Sequence, residues 1–249
     1  MRLMRTYFFY ISILLCGVIS AQEEKEKEEE KKITARDTLP PAEKYGFRVG
    51  VDIGRLIRTV LSEDNDDTND EYTGFEILGD YRIYKNYYLA AEIGNESLLR
   101  NEENISVEGA GSYARIGADY NAYNNWYGMQ NSIYVGLRYG FSTFNQTLNS
   151  YKIFNNSDYF PVPVRNERIE VDSLTASWVE FILGIKVETF KNLYLGANIS
   201  LRRLLSEKTP DRFDNLFVPG FGRTNDYSSY NVGYTYSISY LIPFVKKKR

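Results

Sequence analysis

Residues 133–141 read Ile133-Tyr134-Val135-Gly136-Leu137-Arg138-Tyr139-Gly140-Phe141. Apolar side chains hold every second place, and tyrosine, glycine and arginine stand between them. A strand sends successive side chains to opposite faces, so this rhythm predicts a β-strand with one greasy and one mixed face. The same period recurs on both sides of it. Upstream, Phe47, Val49, Val51 and Ile53 alternate with Arg48, Gly50, Asp52 and Gly54. Three more runs follow at 75–83, 87–94 and 114–120. Downstream, runs at 179–188, 193–202 and 231–242 bring the count to eight.

The joins between runs carry a second pattern. Lys85-Asn86, Asn124-Asn125 and Lys191-Asn192 read as tight turns, because asparagine tolerates the positive φ of hairpin turns. The joins Thr59 to Tyr72, Arg100 to Val107, Asn145 to Ser177 and Ser206 to Ser229 are longer. Short and long joins would then alternate, with short turns on the periplasmic rim and long loops outside. The expectation is an all-β fold, an antiparallel up-and-down transmembrane β-barrel of about 8 strands with both ends periplasmic. A hairpin within 145–177 would raise the count to ten, although Asn155-Asn156-Ser157-Asp158 is too polar for lipid-facing strands.

The remainder of the chain fits export. Arg2 and Arg5 precede the apolar run Tyr7 to Leu15, and Ser20-Ala21 offers a cleavage site before Gln22. Residues 1–21 are expected to be a secretory signal peptide. The bulky Leu15 before Cys16 argues against lipidation, and cleavage would leave a mature chain without cysteine. Residues 22–44, with the run Glu23 to Lys32 and then Pro40-Pro41, read as a charged periplasmic linker. The barrel is expected over 45–245 and a basic tail over 246–249. In this pattern, and in the final stretch Tyr240-Leu241-Ile242-Pro243-Phe244, the chain resembles the small outer-membrane barrel class typified by OmpA and OmpX. That resemblance implies residence in the outer membrane among its lipids. It also implies that the barrel assembly machinery, as a partner, recognises the terminal aromatic Phe244. Pro243 and the tail from Val245 to Arg249 depart from the pattern.

Alternation alone leaves the inside face open. A soluble, lipocalin-like carrier of an apolar ligand would turn the greasy face inward, and a membrane barrel turns it outward. Aromatics near run ends (Phe47, Tyr87, Tyr120, Phe141, Tyr240) favour the membrane, where rings gather at headgroup level. The lumen would then hold Arg48, Asp52, Glu76, Asp80, Arg82, Glu92, Arg115, Asp119, Arg138, Glu180, Lys186, Glu188 and Arg202. Eight strands enclose only enough room for side chains, and enclosed charges must pair, so a salt-bridged, closed lumen is expected. An ion or small-solute pore is the alternative.

Chemistry is limited by what is missing. The sequence has 0 histidines and 1 cysteine, Cys16. Ser-His and Cys-His nucleophile systems and His/Cys zinc sites are therefore excluded. The expectation is a non-enzymatic protein without cofactor or metal. A formal net charge of −3 gives no pull toward nucleic acid. The acidic stretch Ser62 to Glu71 lacks the ordered spacing of a calcium loop and reads as a solvated external loop. Two longer loops are rich in aromatics: Tyr151, Phe154, Tyr159 and Phe160 in one, Phe213, Phe217 and Phe221 in the other. These either form a surface for an extracellular or envelope partner or pack together across the barrel mouth.

Overall fold

A computed structural model describes residues 43–63, 70–123, 130–153, 164–210, 213–225 and 227–247. The expected signal peptide, 1–21, and most of the expected linker, 22–44, lie outside these residues. From Lys44 to Lys246 the chain is one compact unit.

Its strands are β1 (Glu43–Asp52), β2 (Glu71–Tyr84), β3 (Tyr87–Glu102), β4 (Ile105–Asn121), β5 (Ser132–Tyr151), β6 (Ile169–Phe190), β7 (Leu193–Glu207), β8 (Phe217–Val218), β9 (Gly222–Arg223) and β10 (Tyr230–Lys247). Eight of them close into a ring in the order β1-β10-β7-β6-β5-β4-β3-β2. Each of the recorded pairings is antiparallel. The count of eight therefore holds for the ring. The extra pair, β8–β9, forms a separate two-stranded sheet. It lies in the loop before β10, not in the loop after β5 where a further hairpin was considered.

Two expectations about connections fail. The join at Arg100 to Val107 is a two-residue turn, Glu103-Asn104, because β3 and β4 continue well past their greasy runs. The join at Asn124-Asn125 is not tight, since β4 ends at Asn121 and β5 begins at Ser132. Lys85-Asn86 and Lys191-Asn192 are two-residue turns as expected, with Asn192 at φ 67. Strict alternation of short and long joins is thus broken. Much of the stretch from Asn145 to Ser177 is strand, in which β5 and β6 extend the wall.

The first run is also corrected. It ends at Asp52, and Ile53–Glu63 forms a helix, α1. Asp52 caps it, with Oδ1 accepting from the Gly54 amide at 2.8 Å and the Arg55 amide at 3.4 Å. Leu56, Ile57, Val60 and Leu61 fall on one helical face and are exposed. Ile53 had extended the period-two pattern by one place and hidden the change of period.

Sidedness follows the strand parity. The greasy series points outward on every strand of the ring; Leu137 and Ile199 are each 63% exposed. The alternate series points inward, and Glu76 and Glu180 are 0% exposed. On β5 the outward series Ile133 to Phe141 gives way to Thr143, Asn145 and Thr147. Thr143 is registered with Ser112 of β4, and Ser112 with Asn95 of β3. Neighbouring strands therefore turn polar together, which defines the upper edge of an apolar belt. Inside, bulky residues lie over glycines on the paired strand: Trp178 over Gly140, Tyr134 over Gly184, Tyr113 over Gly94. A Cβ at those glycines would collide with the ring.

Candidate functional site: a charged interior closed by a hairpin

The interior is a continuous chain of ion pairs that begins near the two-residue turns. Arg48 and Asp80 stand opposite each other on β1 and β2, Nε to Oδ1 at 2.7 Å. The other oxygen of Asp80 accepts from Lys186 at 2.6 Å. Lys186 also faces Asp119 at 4.0 Å, and Asp119 receives both terminal nitrogens of Arg138 at 2.7 and 3.0 Å. Arg138 Nε lies 3.6 Å from Glu92, an ion pair too long for a hydrogen bond.

Arg115 is the hub. Its guanidinium reaches Glu76 at 2.5 Å, Glu92 at 2.8 Å and Glu180 at 3.2 Å. Glu180 is shared with Arg202 at 3.3 Å and accepts from Trp178 Nε1 at 2.6 Å. Glu76 also takes the Tyr113 hydroxyl and Arg55 Nε, the latter at 3.0 Å. Each charge here is largely removed from water, so the pairing must offset a desolvation penalty of several kcal/mol per ion. What results is an interior built of interlocked charges, in which removing one group exposes several partners.

Toward the loops the interior becomes aromatic. The stretch between β7 and β10 folds back into the ring. Val218-Pro219-Gly220-Phe221 makes a turn in which the Phe221 amide donates to the Val218 carbonyl at 3.1 Å. Gly220 has φ 82, the type II geometry that needs glycine after proline. Val218 and Phe221 pack with Tyr113, Phe144, Leu174, Ala176 and Trp178, and Phe217 packs with Tyr72 and Leu98. The Phe221 ring meets Trp178 edge-on at 6.0 Å between centroids. Polar bonds pin the hairpin as well. Glu96 accepts from the Gly220 amide at 2.6 Å, and Arg202 donates to the Phe221 carbonyl at 2.9 Å. Gln146 bonds both Asp214 and Leu216 at 3.1 Å.

The chain belongs to the DUF6048 family. Its pattern, described as a domain of unknown function, covers residues 4–247. No curated protein and no solved structure matches the chain.

Of the thirteen expected lumen residues, eleven join one connected interior set: Arg48, Asp52, Glu76, Asp80, Glu92, Arg115, Asp119, Arg138, Glu180, Lys186 and Arg202. Arg82 and Glu188 sit at the turn side, where Arg82 donates to the Lys85 carbonyl and Glu188 accepts from the Asn192 amide at 2.8 Å. Two members were missed. Arg55, on the unforeseen helix, pairs with Asp52, Glu76 and Glu96. Glu96 could have been found by continuing the parity of Glu92 and Gly94 along β3.

The proposed loop surface is corrected in part. Phe217 and Phe221 are 5% and 1% exposed and belong to the closing hairpin, not to a surface. Phe213 is half-buried, and Tyr151 is the last residue of β5. Phe154, Tyr159 and Phe160 lie outside the described residues, as does 64–69 of the acidic stretch. Its Asp70 accepts from the Asn101 amide at 3.0 Å and faces Arg223 at 3.4 Å.

Proposed function

We propose that this chain is a non-enzymatic outer-membrane β-barrel protein, exported by its N-terminal segment, whose closed lumen serves as a rigid support rather than a channel. Its work lies in the envelope, structural or partner-binding, through what it presents on the loop side. The observation that carries the membrane reading is the inverted sidedness. Apolar groups are exposed around the whole ring while the charges are enclosed. In water such a surface would drive aggregation; in a bilayer it is the stable arrangement. A soluble carrier would need the opposite arrangement, with apolar groups around a cavity.

The closed lumen is supported at both ends. On the turn side, Arg48 pairs with Asp80 at 2.7 Å and has the rings of Tyr88 and Tyr194 each at 5.1 Å. On the loop side the Phe217–Arg223 hairpin fills the bore. A pore would need unpaired charges along a continuous water path.

The test combines two measurements on the full chain. Envelope fractionation should place it with the outer membrane, migrating faster on a gel when unheated than when boiled. In planar bilayers the folded protein should give no steady conductance steps. Recovery in the soluble fraction would defeat the membrane reading, and regular conductance steps would defeat the closed one.

A further inference from the structure

The seam where α1 replaces a strand is treated differently on its two sides. Toward β2, the helix substitutes for strand pairing. Thr59 Oγ1 accepts from the Gly74 amide at 2.9 Å, and Ser62 Oγ accepts from the Tyr72 amide at 3.2 Å and donates to its carbonyl at 2.7 Å. Toward β10 no such substitution is made. Gly50 lies against Ile238 and Gly54 against Tyr236, so β1 ends level with the middle of β10. Among the described residues, the edge of β10 from Tyr230 to Thr235 has no strand beside it on the α1 side. An open strand edge is costly within a hydrocarbon layer.

A cleft of about 260 Å³ opens at this place. Its depth is lined by Leu98, Phe217 and Phe221, and its β10 lip by Val232 and Tyr234, which continue the apolar belt. Its charged lining is mainly basic: Arg55, Arg58, Arg202 and Arg223 against Asp52 and Glu96. Arg55 and Arg202 are committed to interior carboxylates. Arg58 is exposed, lies 3.8 Å over the Tyr72 ring, and has no carboxylate partner among the described residues. Arg223 is half exposed and only loosely paired with Asp70 at 3.4 Å.

Height in the wall adds to this. Arg58 precedes Thr59, which bonds Gly74, and the next residue, Phe75, is the last apolar outward residue of β2. Arg58 thus stands where the belt ends, the level at which lipid phosphates lie. The volume is below the roughly 300–1,000 Å³ of a pocket that encloses a whole small molecule, and suits a segment of chain.

We propose that this cleft binds one anionic lipid of the surrounding leaflet, an acyl chain seated between α1 and β10 and its phosphate held by Arg58 and Arg223. The arginine fork matches phosphate oxygens in pairs. The Tyr230 and Val232 amides on this edge are already taken by Ser228 Oγ at 3.1 Å and Asn231 Oδ1 at 2.7 Å, so the lipid is held by its phosphate and its acyl chain. The inference rests on the membrane reading of the ring.

The full chain, extracted in detergent, is titrated with phosphatidylglycerol or phosphatidylcholine and read by native mass spectrometry. Wild type should retain one phosphatidylglycerol. The double variant Arg58→Glu, Arg223→Glu should hold it roughly tenfold more weakly, with phosphatidylcholine unaffected. Arg203→Glu, on the outer face of β7, serves as the charge control and should leave retention unchanged. Unheated gel migration confirms that each variant is folded. In vesicles, phosphatidylglycerol with a photoreactive acyl chain should label Val232 to Tyr234 above the rest of the belt. Equal retention in the double variant, or labelling spread evenly to Leu137 and Ile199, overturns the lipid site and leaves the barrel standing. Absence of labelling anywhere on the belt overturns both. A peptide strand protecting the β10 edge from hydrogen exchange, without a lipid adduct, overturns the lipid in favour of a polypeptide.

Discussion

In the turn-side half of the ring, strands alone make the wall, and ion pairs from Arg48 to Arg138, backed by the rings of Tyr88, Tyr134 and Tyr194, fill the bore. In the loop-side half, a helix stands in for part of a strand and an aromatic hairpin fills the bore. The contrast shows two ways of closing the same narrow space. Charges on neighbouring strands can meet because the ladder sets them opposite each other, as with Arg48 and Asp80 or Glu180 and Arg202. Once β1 stops at Asp52 that ladder is incomplete, and a returning loop must supply the filling. Arg115 and Glu96 join the halves, the first through Glu76 and the second through the Gly220 amide.

The largest effect should come from breaking the ionic half at its hub. Arg115→Met takes away the cation that Glu76, Glu92 and Glu180 share, leaving each with one remaining arginine, Arg55, Arg138 and Arg202 in turn. It should destabilise the folded barrel by about 3–5 kcal/mol, read as a lower urea midpoint in detergent. A shift under 1 kcal/mol would show that the charges are far better solvated than their burial implies. Next, Phe221→Ala removes the ring from the hairpin core and should cost about 3 kcal/mol. The difference lies in what is lost. Protease should cut between β7 and β10 while unheated gel migration stays that of a folded ring. If the ring opened as well, the two halves would not be separable.

The smallest effect concerns the seam. Thr59→Val with Ser62→Ala removes the side-chain oxygens that satisfy the β2 edge, at about 0.5 kcal/mol for each bond lost, because water can take their place at the seam. Amide exchange at Tyr72 and Gly74 should quicken, while Gly94 and Ile116 on interior strands stay protected. Uniform quickening around the ring would deny the helix its role as a substitute strand.

Most of the turn-side half could be read from the chain. Parity along Ile133 to Phe141 and its counterparts told which residues face outward, because one face of a strand is physically tied to every second residue. The interior acids and bases followed from the same parity. The loop-side half was harder for reasons that are also physical. Ile53 sits in phase with Val49 and Val51, so alternation ran on past the helix cap at Asp52. Parity at Glu96 continued beyond the greasy run, but without an apolar partner face the strand looked finished at Gly94. The aromatics Phe217 and Phe221 gave no sign of direction by themselves. Pro219-Gly220 did mark a tight turn, and a turn flanked by Val218 and Phe221 buries well only if it points inward.

Residence in a membrane requires that the two faces of the wall look opposite ways, the greasy one to lipid and the charged one inward. With no cysteine outside position 16, single cysteines at Leu137 and Ile199 on the outer face and at Ser142 on the inner face can carry nitroxide labels in the reconstituted protein. Labels at Leu137 and Ile199 should relax strongly with oxygen and weakly with a polar nickel chelate, while Ser142 should be shielded from both. If the nickel chelate relaxed Leu137 and Ile199 as it relaxes a label in water, the belt would not face lipid and the barrel would not span a membrane.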